Sequence, residues 1–425
     1  MNVLIFFACF ILAVVIGTKF KINIGFVGII FGFIITWTYL GGKSADYVKM
    51  FPTSLFWNYA MPIIFYAFAS ANGTLKALGL KVVYAFRNAK WALSISIVCI
   101  AVIIAGAGAS TNNTFIVAPL AWGFAISAGL HPLLVVASLW SGTMIGAFLP
   151  WTTMGAMHTG LSMEHLGVNI VWRYAAFLAI MGIMVFAIMF VICKGWKVKK
   201  DASTEMEKPA PFTTQQKTTL IAIAVCISLL LFPSILSTLF KWKWAKWMSS
   251  NLTVPITCSM GIAILALLHV GDLKEVFSKH VNWNILWVIV FMSQYCGLAS
   301  AMGVTDTLTV WMQNMPTFLI GPCFALIAGA LSFCVSASTV LPLLYAMVPS
   351  LAAVTGLSVS AMAMPMLIGV GCTSISPIST GGAAAQIGAG PEISEKLFVP
   401  QLVLAVCIML GVTILTFTGF WYIGG

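Results

Sequence analysis

Two stretches of this chain, residues 91–163 and 307–391, contain no Asp, Glu, Lys or Arg. They run for 73 and 85 residues. No water-facing surface is built that way, since soluble domains carry roughly a quarter charged residues. A membrane helix takes about 20 apolar residues, so each stretch must pass through a bilayer more than once. Both are interrupted by polar, Gly- and Pro-rich clusters. In lipid, broken backbone survives only where protein or a watery cavity satisfies its N–H and C=O groups. The pattern predicts helices interrupted at membrane depth.

The remainder of the 425 residues agrees. Hydrophobic types make up 61% and charged types 7%. That excludes a soluble enzyme, a disordered regulator and a nucleic-acid binder. The net charge of +11 rests on 21 basic and 10 acidic residues scattered between apolar runs. Loops of multi-span membrane proteins carry charge in this way. Apolar runs of helical length fall at 2–17, 24–41, 53–71, 168–193, 218–240, 251–270, 283–300 and 397–422. The first lacks a basic leading region and a small-residue cleavage site, and reads as a span rather than a signal peptide. The ten cysteines form no CxxC and read as small buried hydrophobes. The expected fold is an all-α polytopic membrane protein with about ten crossings and two re-entrant hairpins. With the N-terminus outside, 15 of the 21 basic residues fall inside, which satisfies the positive-inside rule. The only hydrophilic linker, 194–217, then lies on the inner, cytoplasmic side. KWKWAKW at 241–247 reads as an interfacial anchor.

The two halves echo each other in three places and in the same order. FWNYAMPIIFYAFASANG (56–73) faces NWNILWVIVFMSQYCGLASAMG (282–303). IIAGAGASTNNTFIVAP (103–119) faces LIAGALSFCVSASTVLP (326–342). GTMIGAFLPWTTMGAM (142–157) faces GVGCTSISPISTGGAA (369–384), pairing Gly142 with Gly369, Pro150 with Pro377, Thr153 with Thr380 and Gly155 with Gly382. An odd number of crossings per half inverts one repeat against the other, as in many secondary transporters. The expected organisation is a first repeat over 1–193, with a hairpin at 91–129 and a broken helix at 130–163. The 194–217 linker follows. A second repeat covers 218–425, with a hairpin at 317–350 and a broken helix at 352–391.

Four polar clusters carry the chemistry. They are Ser110, Thr111, Asn112, Asn113 and Thr114; Thr152 and Thr153 after Pro150; Ser336, Ala337, Ser338 and Thr339; and 373–382, with Ser379 and Thr380. Ser, Thr and Asn offer neutral oxygens and N–H donors. Pro and Gly free carbonyls at one half-helix end and N–H groups at the other. The N–H ends suit anions, while carbonyls and hydroxyls suit a hard cation such as Na⁺. Neither uncharged stretch supplies a formal charge, so substrate and cation must offset each other. This points to cation-coupled anion transport. For any single Ser or Thr, packing or a backbone bond is the simpler reading. Four clusters in two matched pairs favour a site. His131 fits a helix cap and His158 an interfacial position, with both also open as proton carriers.

KINIGFVGIIFGFI (21–34), FPTSLFWNYAMPIIFYAFASANGTLKAL (51–78) and GAGASTNNTFIVAP (106–119) resemble the N-terminal region of the MatC-type malonate/dicarboxylate carriers. SPISTGGAA (376–384) resembles the second-half signature of the broader ion transporter superfamily, which includes the divalent anion:sodium symporters. The resemblance implies a dimerising scaffold domain and a transport domain bearing two hairpins, working as an elevator. It places Asn112, Asn113 and Thr114 in one substrate-binding triplet and Ser336, Ala337 and Ser338 in the other. The implied Na⁺ ligands are Asn113, Phe148, Pro150, Ser336, Thr373, Ile375 and Ser376, with main-chain oxygens before Pro150 and Pro377 contributing. Asn112 departs from the family's Ser and Ala337 from its Asn.

The combined expectation is an inner-membrane, homodimeric symporter of a small dicarboxylate, malonate-like or C4, coupled to Na⁺, with no other cofactor. The rivals are a proton-coupled organic anion carrier and a Na⁺/H⁺ antiporter, the latter disfavoured by the missing core carboxylate. A membrane enzyme would want HExxH or a core His with an acid, and neither is present.

Overall fold

The structure, a computed structural model, describes residues 2–85, 93–110, 113–197, 208–281, 283–304, 307, 310–311, 314–334, 337–387, 389 and 391–423. All regular elements among them are helical. The first half contains α1 (Asn2–Phe20), α2 (Ile24–Thr38), α3 (Ser44–Val48), α4 (Thr53–Ala71) and α5 (Thr74–Ala85). It continues with α6 (Leu93–Ile104), α7 (Asn113–Ala128), α8 (Pro132–Gly146), α9 (Thr153–Leu166) and α10 (Val171–Ile192). The second half contains α11 (Thr214–Phe240), α12 (Lys243–Asn251), α13 (Val254–Leu267), α14 (Leu273–Glu275) and α15 (Trp283–Ala301). It ends with α16 (Thr317–Cys334), α17 (Ala337–Thr355), α18 (Val359–Thr373), α19 (Thr380–Ala384) and α20 (Pro391–Phe417).

Boundaries follow local chemistry. His131 caps α8, its Nδ1 accepting from the Leu133 N–H at 3.3 Å, and Pro132 opens the helix where no N–H partner is needed. Thr213 and Gln216 close a reciprocal capping box on α11. Val171–Ile192, Thr214–Ser237 and Glu392–Phe417 are each long and apolar enough to cross a membrane. Two bent pairs, Thr53–Ala71 with Thr74–Lys81 (66°) and Lys243–Asn251 with Val254–Leu267 (77°), raise that number to five among the described residues. The 251–270 run is therefore bent at its start rather than one straight span. Other apolar helices, including Ile24–Thr38 and Pro132–Gly146, are 10–17 residues long, short of a full crossing. About ten crossings would need those shorter helices to span as well.

Packing sorts the helices into two sets. In one, α2 lies on α15 and α13 on α4, while α1 backs α2 and α11 backs α13. In the other, α6 lies on α8, α8 on α10, α16 on α18 and α18 on α20. Contacts between the sets run chiefly through α4 on α9 and α15 on α17, with α5 touching α6 and α7. Lipid gives helices little hydrophobic reason to associate, so close approach at small residues has to supply the contact. A Cβ at Gly142 would sit 2.6 Å from the Val98 carbonyl oxygen, and one at Gly369 2.5 Å from that of Ala325. These are corresponding glycines, each pressed against the first arm of its own hairpin.

The halves also interlock through two related hydrogen bonds. Trp122 of α7 donates from Nε1 to the Ala385 carbonyl at 2.7 Å. Tyr345 of α17 lies 2.9 Å from His158 Nδ1. Extended by less than a turn, the sequence alignments pair Trp122 with Tyr345 and His158 with Ala385. Each hairpin's second arm thus grips the segment after the opposite half's break. His158 is 1% exposed. α9 runs on to Leu166, carrying His158 into contact with Phe148, Tyr174 and Tyr345.

Removing either clasp is expected to lower stability. Tyr345→Phe deprives buried His158 of its partner, and Trp122→Phe deprives the Ala385 carbonyl. Interhelical hydrogen bonds in membranes contribute about 0.6–2 kcal/mol, so each variant should unfold a few degrees earlier in detergent. Thermal melts of both variants matching the native protein would remove the clasps from the fold's support.

Candidate functional site

The first break joins α8 to α9. Thr152 caps α9, its Oγ1 accepting from the Gly155 N–H at 3.1 Å. The same hydroxyl shares its proton between the carbonyls of Ala147 and Leu149, the latter at 2.8 Å. Gly155 is obligatory because a Cβ there would stand 2.0 Å from the Leu149 oxygen.

The second break, between α18 and α19, repeats this atom for atom. Ser379 accepts from the Gly382 N–H at 3.1 Å. Its hydroxyl lies 2.9 Å from the Ser374 carbonyl and 2.7 Å from that of Ser376. A Cβ on Gly382 would stand 2.0 Å from the Ser376 oxygen. Thr152 and Ser379 correspond in the repeat, as do the carbonyls that each one gathers. Gln401 of α20, 0% exposed, adds Nε2 donations to the carbonyls of Ile375 (2.7 Å) and Gly382 (2.9 Å). Trp140 of α8 donates to Ser374 Oγ at 2.7 Å, so the two breaks are bridged directly.

The tip of the first hairpin folds onto the first break. α6 runs into a widened turn, Ala105–Ala109, containing Gly108 at φ +116°. Ser110 follows at φ +50°, ψ −134°, a backbone state that ordinarily calls for glycine. It is held there by its own side chain. Ser110 Oγ donates to the Ala147 carbonyl at 3.2 Å and accepts from the Met154 N–H at 3.4 Å. The tip serine therefore sits on the positive end of α9, where orphan N–H groups point outward.

Asn113 and Thr114 are buried one turn deeper. Asn113 Nδ2 donates to the Ala101 carbonyl at 3.1 Å, and its Oδ1 lies 3.0 Å from Thr143 Oγ1 and 3.2 Å from Thr114 Oγ1. Its amide is thus taken up inside the hairpin and binds α7 to α6 and α8. Of the expected first-site residues, Ser110, Asn113, Thr114, Thr152 and Phe148 are buried in this region, with Pro150 and Thr153 half-buried beside them. Thr111 and Asn112 lie outside the described residues.

In the second half, Thr373 Oγ1 donates to Ser332 Oγ at 2.7 Å and lies 2.9 Å from the Val370 carbonyl, tying the end of α18 to the hairpin arm α16. Ile375 and Ser376 are buried at the break. Ala337 opens α17 and is half-buried. Ser336, and the side chains of Ser338, Thr339 and Thr380, lie outside the described residues. The three ion pairs among the described residues, Lys49–Asp46, Lys279–Glu275 and Lys396–Glu392, all join exposed side chains.

Four contacting residues escaped the sequence reading. Thr143 and Trp140 lie in one stretch with Ser138 and Ser141, while Gln401 stands alone in an apolar run and had the strongest signal because a buried amide demands partners. Tyr66 gave none. It reaches from α4 to donate to the Trp151 carbonyl at 2.9 Å.

No curated protein matches the chain by sequence. Among solved structures, the Alcanivorax borkumensis YdaH transporter matches with a TM-score of 0.60 at 15% identity, over 88% of this chain and 86% of that one. Residues 1–147 match the family model described as "Dicarboxylate carrier protein MatC N-terminus". The first third of this membrane protein is thus MatC-like in sequence, and most of the chain carries a fold similar to that of the YdaH transporter.

Proposed function

We propose that the protein is a secondary transporter of a small dicarboxylate, malonate-like or C4, coupled to Na⁺, in the cell's inner membrane. The observation that carries this reading is Ser110 seated on the first turn of α9. A helix N-terminus capped by a hairpin's hydroxyl is an anion site in its closed form. A substrate carboxylate replaces Ser110 Oγ as the acceptor for Met154 N–H, with a gain from the helix dipole. The MatC match supplies the dicarboxylate.

The carbonyls gathered by Thr152 and Ser379 fit the cation. Each break turns two main-chain oxygens toward one hydroxyl. A Na⁺ ion takes such oxygens where no carboxylate is at hand, and it offsets the substrate's charge at a depth where bare charge is costly. The two matched breaks support an inverted pair of repeats. The division of helices into two sets supports an elevator, with α1–α5 and α11–α15 as the scaffold through which two copies would pair. α6–α10 and α16–α20 then form the moving unit.

Proteoliposomes under imposed gradients test the reading. Malonate or succinate uptake should rise with an inward Na⁺ gradient at equal pH on both sides. Uptake driven by a pH gradient alone would remove sodium, and uptake of neither acid by folded protein would remove the dicarboxylate. Thr152→Val and Ser379→Ala should each raise the Na⁺ concentration for half-maximal uptake by about threefold or more, because each loses a bond that orients the gathered carbonyls. Sodium titrations of both variants superimposing on the native curve would take the two turns out of the cation sites.

A further inference from the structure

Tyr66 stands outside the moving unit and touches the site at two points. Its hydroxyl donates to the Trp151 carbonyl, one residue before the Thr152 cap, at 2.9 Å. Its ring covers Gly108, where a Cβ would come within 2.0 Å of Cδ1 and 2.1 Å of Cε1. Trp151 closes the circuit by donating from Nε1 to the Gly106 carbonyl at 2.9 Å. Trp151 is itself braced edge-on by Trp172, with ring centroids 6.1 Å apart. Tyr66 is buried, so neither contact is a surface accident.

These contacts bind the segments whose relative position sets the anion site. Gly106 and Gly108 belong to the hairpin tip and lead directly to Ser110. Trp151 leads directly to Thr152 and the N-terminus of α9. No other polar contact among the described residues joins α4 to the first break. Only glycine accepts both the φ of +116° at 108 and the ring above it.

We propose that Tyr66 is a positioning residue: it holds the first hairpin tip against the first break in the geometry that receives the substrate carboxylate. The proposal rests on the transport reading above, and names the residue through which α4 acts on that site. Tyr66 touches no substrate. It acts by fixing where Ser110 meets the Met154 N–H.

Two readouts test this in the full-length protein. In proteoliposomes, Tyr66→Phe keeps the ring on Gly108 and loses the hydroxyl. It should raise KM for malonate by about tenfold while lowering the maximal rate less, as for lost binding geometry. Trp151→Phe should act in the same direction. The double variant should be no worse than the more severe single one, because the two bonds form one circuit. Amide hydrogen exchange, which needs no substrate, should quicken at 105–110 and 150–154 in Tyr66→Phe and stay native elsewhere. Native exchange across both segments would overturn the proposal, whatever the protein transports. So would a fall in maximal rate at native KM, or fully additive effects of the two substitutions. Absence of dicarboxylate uptake by the native protein would reject the transport reading instead, leaving the exchange comparison to decide the role of Tyr66.

Discussion

The constraint behind this architecture is that a backbone without water must find partners for every N–H and C=O it frees. A continuous helix solves this by itself. A broken one needs a side chain to do the work, and here the same solution is used twice. Thr152 and Ser379 each accept from an N–H three residues ahead, and share a proton between carbonyls three and five residues behind. One hydroxyl settles both ends of the break. The neighbouring glycines are fixed by the same geometry, since the returning carbonyl occupies the place of their Cβ. Once the breaks are closed in this way, the helices on either side have defined directions. The hairpins can then be clasped onto them by Trp122 and Tyr345.

The symmetry is imperfect in an informative way. The first clasp ends on a main-chain carbonyl and the second on an imidazole. The second break has Gln401 beneath it, bonded to two of its carbonyls. The first break instead has Ser110 and Tyr66 as added partners. The halves share a frame, and each adds its own polar groups to it. The two breaks therefore present different polar surroundings on the same frame.

Much of this was legible in the sequence. Absence of charge over two long stretches forced membrane passage, and Gly–Pro–Ser/Thr clusters marked where the helices stop. The pairing of Pro150 with Pro377 and Gly155 with Gly382 anticipated the two breaks in register. What could not be read was which polar atoms satisfy one another. Asn113 stood out as part of a polar cluster in an uncharged stretch, where an amide needs partners. That need is met inside the hairpin by the Ala101 carbonyl, Thr143 and Thr114. Tyr66 was silent because a tyrosine in an aromatic-rich helix carries no sign of whom its hydroxyl meets 85 residues later.

On the transport reading, electrostatics ties the site to its cargo. The two stretches that build the breaks and hairpins bring no formal charge with them. A dicarboxylate entering alone would face a desolvation cost that helix ends offset only in part, since each is worth about 0.3–2 kcal/mol. Adding a fixed Lys or Arg would meet that cost but would also hold the substrate too firmly to release and tax the empty site on its return. A mobile cation avoids both difficulties. On the transport reading it arrives with the substrate and leaves with it, and the protein need only keep neutral oxygens turned the right way in between. On the transport reading, the lack of core charge is a condition for the site to be loaded and emptied, and the hydroxyl-closed breaks keep it stable while it is empty.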